Sequence, residues 1–413
     1  MVGSAAAVGS RVVGRLLGLG FVVLLARRQS ALVFAEYNYL LILSAALSVI
    51  TDAGVAAVAG REVARGEASV GAAYRAAFTV QLVSGLVGAL LCIGLGFVIP
   101  GPDRDVAALL FLGLMVAANS IFNLQAELLR GAGRPLIEGG VQLLAGVLQL
   151  GVGAAVVVAG GGLAAVLAAL AAKQLLVVVV CQAWLPAPWS AARDAQLSRM
   201  VFRRGVWLGG ATTLATVIWR FGALVIGNVG SVAELANFAV SSRYLEVSAT
   251  ISQTLGIGML PALSRRSAAS PLGIRGFTVR MTLIITVIVG LLTIPAVLLT
   301  GTVTVAVFGA RYSSAVTSSQ VLVALTPLVV LHFLTWYALV AERHERWVTV
   351  AAAIGAGAAL LTVAWIVARP TATVTAIATG IAIAAATAAL CVGVLRSSQP
   401  AQAGEALMSP GMP

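Results

Sequence analysis

The chain has 413 residues, of which 60% are hydrophobic and only 10% charged, with a mean hydropathy of +1.03. Soluble domains carry about 25% charged residues, so 26 basic and 14 acidic side chains cannot solvate a surface of this size, and the apolar content excludes a disordered chain. What remains is a polytopic membrane protein. Its apolar stretches run to about 18 to 25 residues, the length of a spanning helix rather than of the short alternating strands of a membrane barrel.

Hydropathy predicts twelve spans, roughly at 5–26, 33–59, 74–99, 106–129, 137–159, 163–184, 205–228, 232–260, 278–300, 317–340, 347–367 and 371–394. The first is too long, and too closely followed by Arg27 and Arg28, for a cleavable signal peptide. Gly14 and Gly18 within it have the spacing of close helix packing. Pro100-Gly101-Pro102-Asp103 and Gly160-Gly161-Gly162 read as turns. The longest gap, 186–204, holds Pro186, Pro188, Arg193, Asp194, Arg199, Arg203 and Arg204. It reads as a cytoplasmic linker between an N-lobe (1–185) and a C-lobe (205–396). Pro295 and Pro327 are expected to kink the ninth and tenth spans. Residues 397–413, rich in Ser, Pro, Gly and Gln, read as a disordered cytoplasmic tail.

Arginine placement sets the orientation. With the N-terminus inside, eighteen of the 26 basic residues fall on the cytoplasmic side. Five fall outside (Arg27, Arg28, Arg104, Arg311 and Arg369), and Lys173, Arg220 and Arg243 lie within spans. That asymmetry predicts two cytoplasmic termini and an even number of spans. It also accounts for most of the net charge of +12, which therefore does not indicate nucleic acid. The pair Ala35-Glu36 opens the second span, and Ala233-Glu234 opens the eighth. A repeat of six spans is parallel, related by an axis along the membrane normal. The expected fold is all-α: two six-helix lobes around a central cavity, a transporter architecture.

Other chemistry lacks its residues. His332 and His344 are too few for a haem or metal bundle, and Cys92, Cys181 and Cys391 lie far apart in apolar runs, without a CxxC. No metal or cofactor is expected. Nor is an enzyme: no soluble segment is long enough to hold one, and a membrane glycosyltransferase or polymerase would want a long outer loop with clustered carboxylates or histidine.

Ionisable residues inside a bilayer are costly unless paired, and so mark function. The deepest are Arg220 in the seventh span and Arg243 with Glu246 in the eighth. Arg243 and Glu246 are three apart and share a helix face; they form either a self-neutralising pair or a lumen-facing cation held by its glutamate. Arg220, in Ala215-Thr216-Val217-Ile218-Trp219-Arg220-Phe221-Gly222, either snorkels past Trp219 to an interface or joins that site. Lys173 reads as an anchor towards the cytoplasmic end of its span. Asp52 and Glu127, also nearer span ends, are expected to pair with arginines or cap helices, and are the further acidic, ion-coupling candidates. An arginine stays charged at physiological pH and its planar fork suits phosphate, whereas a proton-coupled cation exporter needs deep titrating carboxylates. Two arginines to one carboxylate at depth favour an anionic headgroup.

Four segments together resemble the polysaccharide-export branch of the multidrug/oligosaccharidyl-lipid/polysaccharide (MOP) flippase superfamily. The first comprises Leu24-Leu25-Ala26-Arg27-Arg28, Glu36-Tyr37, Thr51-Asp52-Ala53-Gly54 and Arg61-Glu62. The second is Trp219-Arg220-Phe221-Gly222 followed by Ser242-Arg243-Tyr244-Leu245-Glu246. The third is Met259-Leu260-Pro261-Ala262-Leu263-Ser264-Arg265, and the fourth Val307-Phe308-Gly309-Ala310-Arg311-Tyr312 with Ala315. The resemblance implies a bacterial plasma-membrane flippase that turns oligosaccharide units, carried on a polyprenyl diphosphate, from one leaflet to the other by alternating access. It implies lipid-linked oligosaccharide and membrane lipids as partners, with a polysaccharide polymerase and glycosyltransferases nearby. It also implies that Arg243, Arg220 and Arg15 meet the diphosphate. Two positions depart from relatives. Gly222 stands where the family often has an acidic residue, and Phe21 where lipid II flippases have a second first-helix arginine. Those flippases also have fourteen helices. The alternative function is a multidrug/cation antiporter of the same fold.

Overall fold

The computed structural model describes residues 2–52, 54–98, 105–186, 194–269, 271–341 and 344–397, and the regular structure among them is helical. In chain order the helices are α1 (Val2–Arg28), α2 (Ala31–Asp52), α3 (Val55–Ala64), α4 (Val70–Val98), α5 (Val106–Gly131), α6 (Pro135–Val158) and α7 (Leu163–Trp184). There follow α8 (Ala195–Val229), α9 (Val232–Ala269), α10 (Pro271–Phe308), α11 (Val316–Ala324), α12 (Thr326–Ala341), α13 (Glu345–Ala368) and α14 (Ala372–Ser397). Among the described residues, eleven stretches are long and apolar enough to cross a membrane. The missing twelfth is α9. Its 38 residues exceed a bilayer crossing, but Arg243, Glu246 and several Ser and Thr dilute its hydropathy.

Two expected spans are each broken in two. Asp52 ends α2 and Val55 starts α3, with Gly54 between them at φ 67°, a left-handed conformation that glycine adopts without steric cost. α11 and α12 divide at Leu325, so Pro327 sits in the first turn of α12, where its missing N–H has no helical partner to lose. The helical dihedrals of Leu325 make this break a kink within one span, as expected at Pro327, while Pro295 lies inside the continuous α10. The expected linker is also shorter. α8 begins at Ala195, capped by Asp194, whose carboxylate accepts from the backbone N–H groups of Gln196 (2.8 Å) and Leu197 (3.0 Å). Residues 195–204 are therefore helical. The Pro100–Asp103 turn, residues 187–193 of the linker and the tail from 398 lie outside the described residues.

Taking α2–α3 and α11–α12 as one span each, the two halves pack by the same plan. In the N-lobe α1 lies on α6, α4 on α5, α5 on α7, and α6 on α7. In the C-lobe α8 lies on α13, α10 on α11 and α12, α12 on α14, and α13 on α14. This correspondence is what a parallel repeat requires. The lobes meet chiefly where α2 runs against α8 and α9. At the start of α8 a second tie joins them: buried Glu62 of α3 pairs with Arg204 at 3.1 Å and, on its own helix, with Arg65 at 3.9 Å. Burial and the neighbouring Glu67 push the Glu62 carboxyl above the usual carboxylate range, and the two guanidiniums pull it back down.

One of the tight crossings in the N-lobe is α1 on α6. A Cβ at Gly14 would lie 2.7 Å from the Gln142 carbonyl oxygen, whereas one at Gly18 would meet only the Gln149 side chain, at 3.6 Å. Beside this crossing Arg11 neutralises buried Glu138 of α6, with Nε donating at 2.7 Å. Gly14→Leu is therefore expected to force the two helices apart and cost about 1–3 kcal/mol or more. Gly18→Ala should cost less than about 1 kcal/mol. Thermal unfolding in detergent, measured side by side, checks the difference.

Candidate functional site

Helical spacing alone brings the central pair together. On α9, Arg243 donates from Nη1 to Glu246 Oε2 at 2.7 Å. The other carboxylate oxygen, Oε1, accepts from Arg220 Nη1 of α8 at 3.2 Å. One carboxylate thus bridges two guanidiniums from two helices. Arg220 does not snorkel away, and the Arg243–Glu246 pair does not close on itself.

A third contact comes from the other lobe. Arg243 Nη2 donates to Asn38 Oδ1 of α2 at 2.6 Å. Asn38 is fully buried, and its own Nδ2 donates to the Phe34 carbonyl at 2.7 Å, which fixes the amide oxygen towards the arginine. Beside Asn38, the buried Tyr37 hydroxyl has no hydrogen-bond partner among the described residues. One turn further along α9, Thr250 Oγ1 accepts from Arg15 Nη1 of α1 at 3.0 Å and donates to the Glu246 carbonyl at 2.8 Å. The three arginines expected to meet a diphosphate, Arg243, Arg220 and Arg15, therefore gather around Glu246 from both lobes.

Exposure shows how the site opens. The Arg243 side chain is 11% exposed, but those of Arg220 and Glu246 are 31% and 39% exposed. Half-exposed charges at this depth cannot face hydrocarbon, so they face a polar space between the lobes. Three guanidiniums against one carboxylate leave that space a net positive charge of two.

Asp52 and Glu127 lie elsewhere. Asp52, the last residue of α2, accepts a hydrogen bond from the Gln81 amide of α4 rather than pairing with an arginine. Gln81 in turn takes Ser120 of α5 on its backbone carbonyl at 2.9 Å, making a separate polar cluster in the N-lobe. Glu127 pairs with Arg130 at 2.9 Å on its own helix, as expected. Lys173 is not near an end of its span: it sits midway along α7, where Nζ donates to Gln149 Oε1 of α6 at 3.3 Å.

The two departures have steric reasons. A Cβ at Gly222 would lie 2.8 Å from Thr375 Cγ2 and 3.0 Å from Thr379 Oγ1, so no carboxylate fits there. Phe21 is fully buried and packs edge-on against Tyr37, with ring centroids 5.9 Å apart, so its position belongs to the core.

Comparison with known proteins agrees with this architecture. A family profile described as "Polysaccharide biosynthesis protein" matches residues 24–317. The chain belongs to that family. Comparison with curated sequences finds no match. Among solved structures, a MOP superfamily transporter from Pyrococcus furiosus, described as having a binding pocket of reverse polarity, superposes with a TM-score of 0.64 at 14% identity, over 95% of this chain and 93% of that one. An inward-facing multidrug resistance MATE transporter of the same superfamily gives 0.63 at 14% identity, over 96% and 94%. The Vibrio cholerae MATE transporter VcmN in its bent form gives 0.61 at 12% identity, over 96% and 98%. The chain is thus a member of the polysaccharide biosynthesis family with the fold seen in MOP superfamily transporters.

The bridging geometry makes the three charges interdependent. Glu246→Ala should lower the unfolding temperature in detergent more than Arg220→Ala does, because it strands two cations. The Arg220→Ala/Glu246→Ala double variant should show a coupling of about 1 kcal/mol or more in a double-mutant cycle; additive effects would mean the carboxylate does not bridge.

Proposed function

We propose that this protein is a flippase that carries polyprenyl-diphosphate-linked oligosaccharide units across the bacterial plasma membrane by alternating access, with both termini in the cytoplasm. The observation that carries this reading is the gathering of three arginines at Glu246: Arg243 and Arg220 on its carboxylate, and Arg15 on Thr250, which bonds its backbone carbonyl. A diphosphate esterified at both ends carries about two negative charges at neutral pH, which matches the surplus charge of the site and suits the guanidinium fork. In the empty site Glu246 holds the arginines in place and offsets part of their repulsion. An arriving headgroup takes over the guanidinium N–H groups that Glu246 and Asn38 leave free. Its lost hydration is replaced by fixed donors, and the lobes rock about it between the two faces. Sugar units would come from glycosyltransferases on one side and pass to a polymerase on the other.

The multidrug or cation antiporter reading draws on the MATE fold and on Asp52, whose partner among the described residues is an amide rather than a cation. An antiporter must load and release a cation on a carboxylate, and the deepest carboxylate here is bound by two arginines.

Two substitutions separate these readings. Arg243→Ala should reduce lipid-linked glycan translocation by about 100-fold, as expected when a charge-assisted anion contact worth about 2–3 kcal/mol is lost, while the protein remains folded in the membrane. Normal export by a stably expressed Arg243→Ala variant refutes the assignment. Asp52→Asn should leave glycan translocation within about threefold of wild type. Loss of proton- or sodium-driven cation efflux in that variant, with glycan export absent from the wild type, selects the antiporter.

A further inference from the structure

Two of the sequence segments singled out above take no part in the arginine cluster: Leu24–Arg28 at the end of α1, and Val307–Tyr312 after α10. The structure brings them together across the lobes. Arg27 donates from Nε to the Val307 carbonyl at 2.7 Å and from Nη2 to the Ala306 carbonyl. In return the Tyr312 hydroxyl donates to the Ala26 carbonyl at 3.4 Å. Tyr312 is buried, its ring set edge-on to Phe34 of α2 with centroids 5.6 Å apart and covered by the Arg311 guanidinium at 5.0 Å. Gly309, at φ 102°, reverses the chain so that Tyr312 can reach back.

The last carbonyls of a helix have no partner within it, and the helix dipole leaves that end partly negative. Here two such ends meet, one from each lobe. Val305 is satisfied by the Gly309 N–H at 2.9 Å, and Leu25 by the Gln29 N–H at 3.0 Å. Ala306, Val307 and Ala26 depend on the opposite lobe. Two partly negative ends repel, and a guanidinium set between them turns the repulsion into attraction. Each lobe thus caps the other's helix, and the contact exists only while the two ends touch.

α1 crosses the membrane once, so this contact lies on the face opposite the chain's N-terminus. We propose that Arg27 and Tyr312 form a clasp that shuts the inter-lobe space at that face, and that must part for a cargo to leave there. The clasp draws on the two-lobe fold alone, so it stands or falls separately from the identity of the cargo.

The test is side-specific thiol labelling. With Cys92, Cys181 and Cys391 replaced by Ala, Thr250→Cys serves as the reporter between the lobes. A membrane-impermeant maleimide is applied to intact cells and, separately, to inside-out vesicles. Arg27→Ala/Tyr312→Phe should raise the labelling rate from the face opposite the termini by about tenfold, the shift from losing about 1.4 kcal/mol of closing free energy. Arg28→Ala, on the neighbouring exposed arginine, should leave that rate unchanged. Conversely, Arg27→Cys with Ala306→Cys, bridged by a short bis-methanethiosulfonate whose two methanesulfinate groups leave as the disulfides form, should abolish labelling from that face and leave labelling from the other. An unchanged rate in the clasp variant, a rise from the face that carries the termini, or undiminished labelling after bridging each overturns the clasp. The bridged arm holds even where the double substitution fails to fold.

Discussion

A guanidinium between hydrocarbon walls must be paired, and most of this molecule's inter-lobe geometry follows from meeting that demand. Removing an arginine's hydration costs several kcal/mol even after relaxation, so Arg243 and Arg220 require a carboxylate at their own depth. Glu246 supplies it to both, at 2.7 and 3.2 Å. Because α8 and α9 are bound to one carboxylate, the C-lobe presents a rigid, positively charged wall. Arg243 also reaches Asn38 of α2, and Arg15 of α1 reaches Thr250, so that wall is tied to the N-lobe by hydrogen bonds that a ligand can exchange.

The same physical demand appears at the periphery. At two places away from the arginine cluster, beside apolar contacts such as Phe34 with Tyr312, the lobes satisfy polar groups that either lobe alone leaves open: Glu62 with Arg204, and the carbonyl ends of α1 and α10 with Tyr312 and Arg27. Each lobe's own interior is held by close helix packing instead, as at Gly14, and by an internal ion pair such as Arg11 with Glu138. A polar contact can be traded for a ligand or for water, whereas a packed helix crossing cannot.

The spans and the arginine cluster were legible in the sequence because hydropathy and charge are cheap to read and costly to violate in a bilayer. Arg243 and Glu246 lie on one face by spacing alone. Their partner Arg220 needed the fold, since nothing in the spacing of residues 220 and 246 predicts a bridge. Asn38 passed unnoticed although it lies within a segment of interest, because an uncharged amide has no hydropathy signature. The break at Gly54 is hidden for a related reason: a short interruption between apolar runs leaves the average unchanged, whereas the one at Leu325 is marked by Pro327. Residues 195–204 read as linker because three arginines, Arg199, Arg203 and Arg204, outweigh the signal of Asp194 as a cap. Lys173 was placed towards a span end by its charge, whereas Gln149 on the neighbouring helix lets it sit at the middle.

The central claim is that the inter-lobe space is built for a dianion on a lipid and not for an organic cation. Binding to the purified protein in lipid nanodiscs tests it directly, with polyprenyl diphosphate and a lipophilic cation such as tetraphenylphosphonium as the two probes. Saturable binding of the diphosphate lipid is expected, weakening as salt rises and altered by Glu246 substitution, with no saturable binding of the cation. Tight binding of the cation together with no measurable affinity for the diphosphate lipid would contradict it.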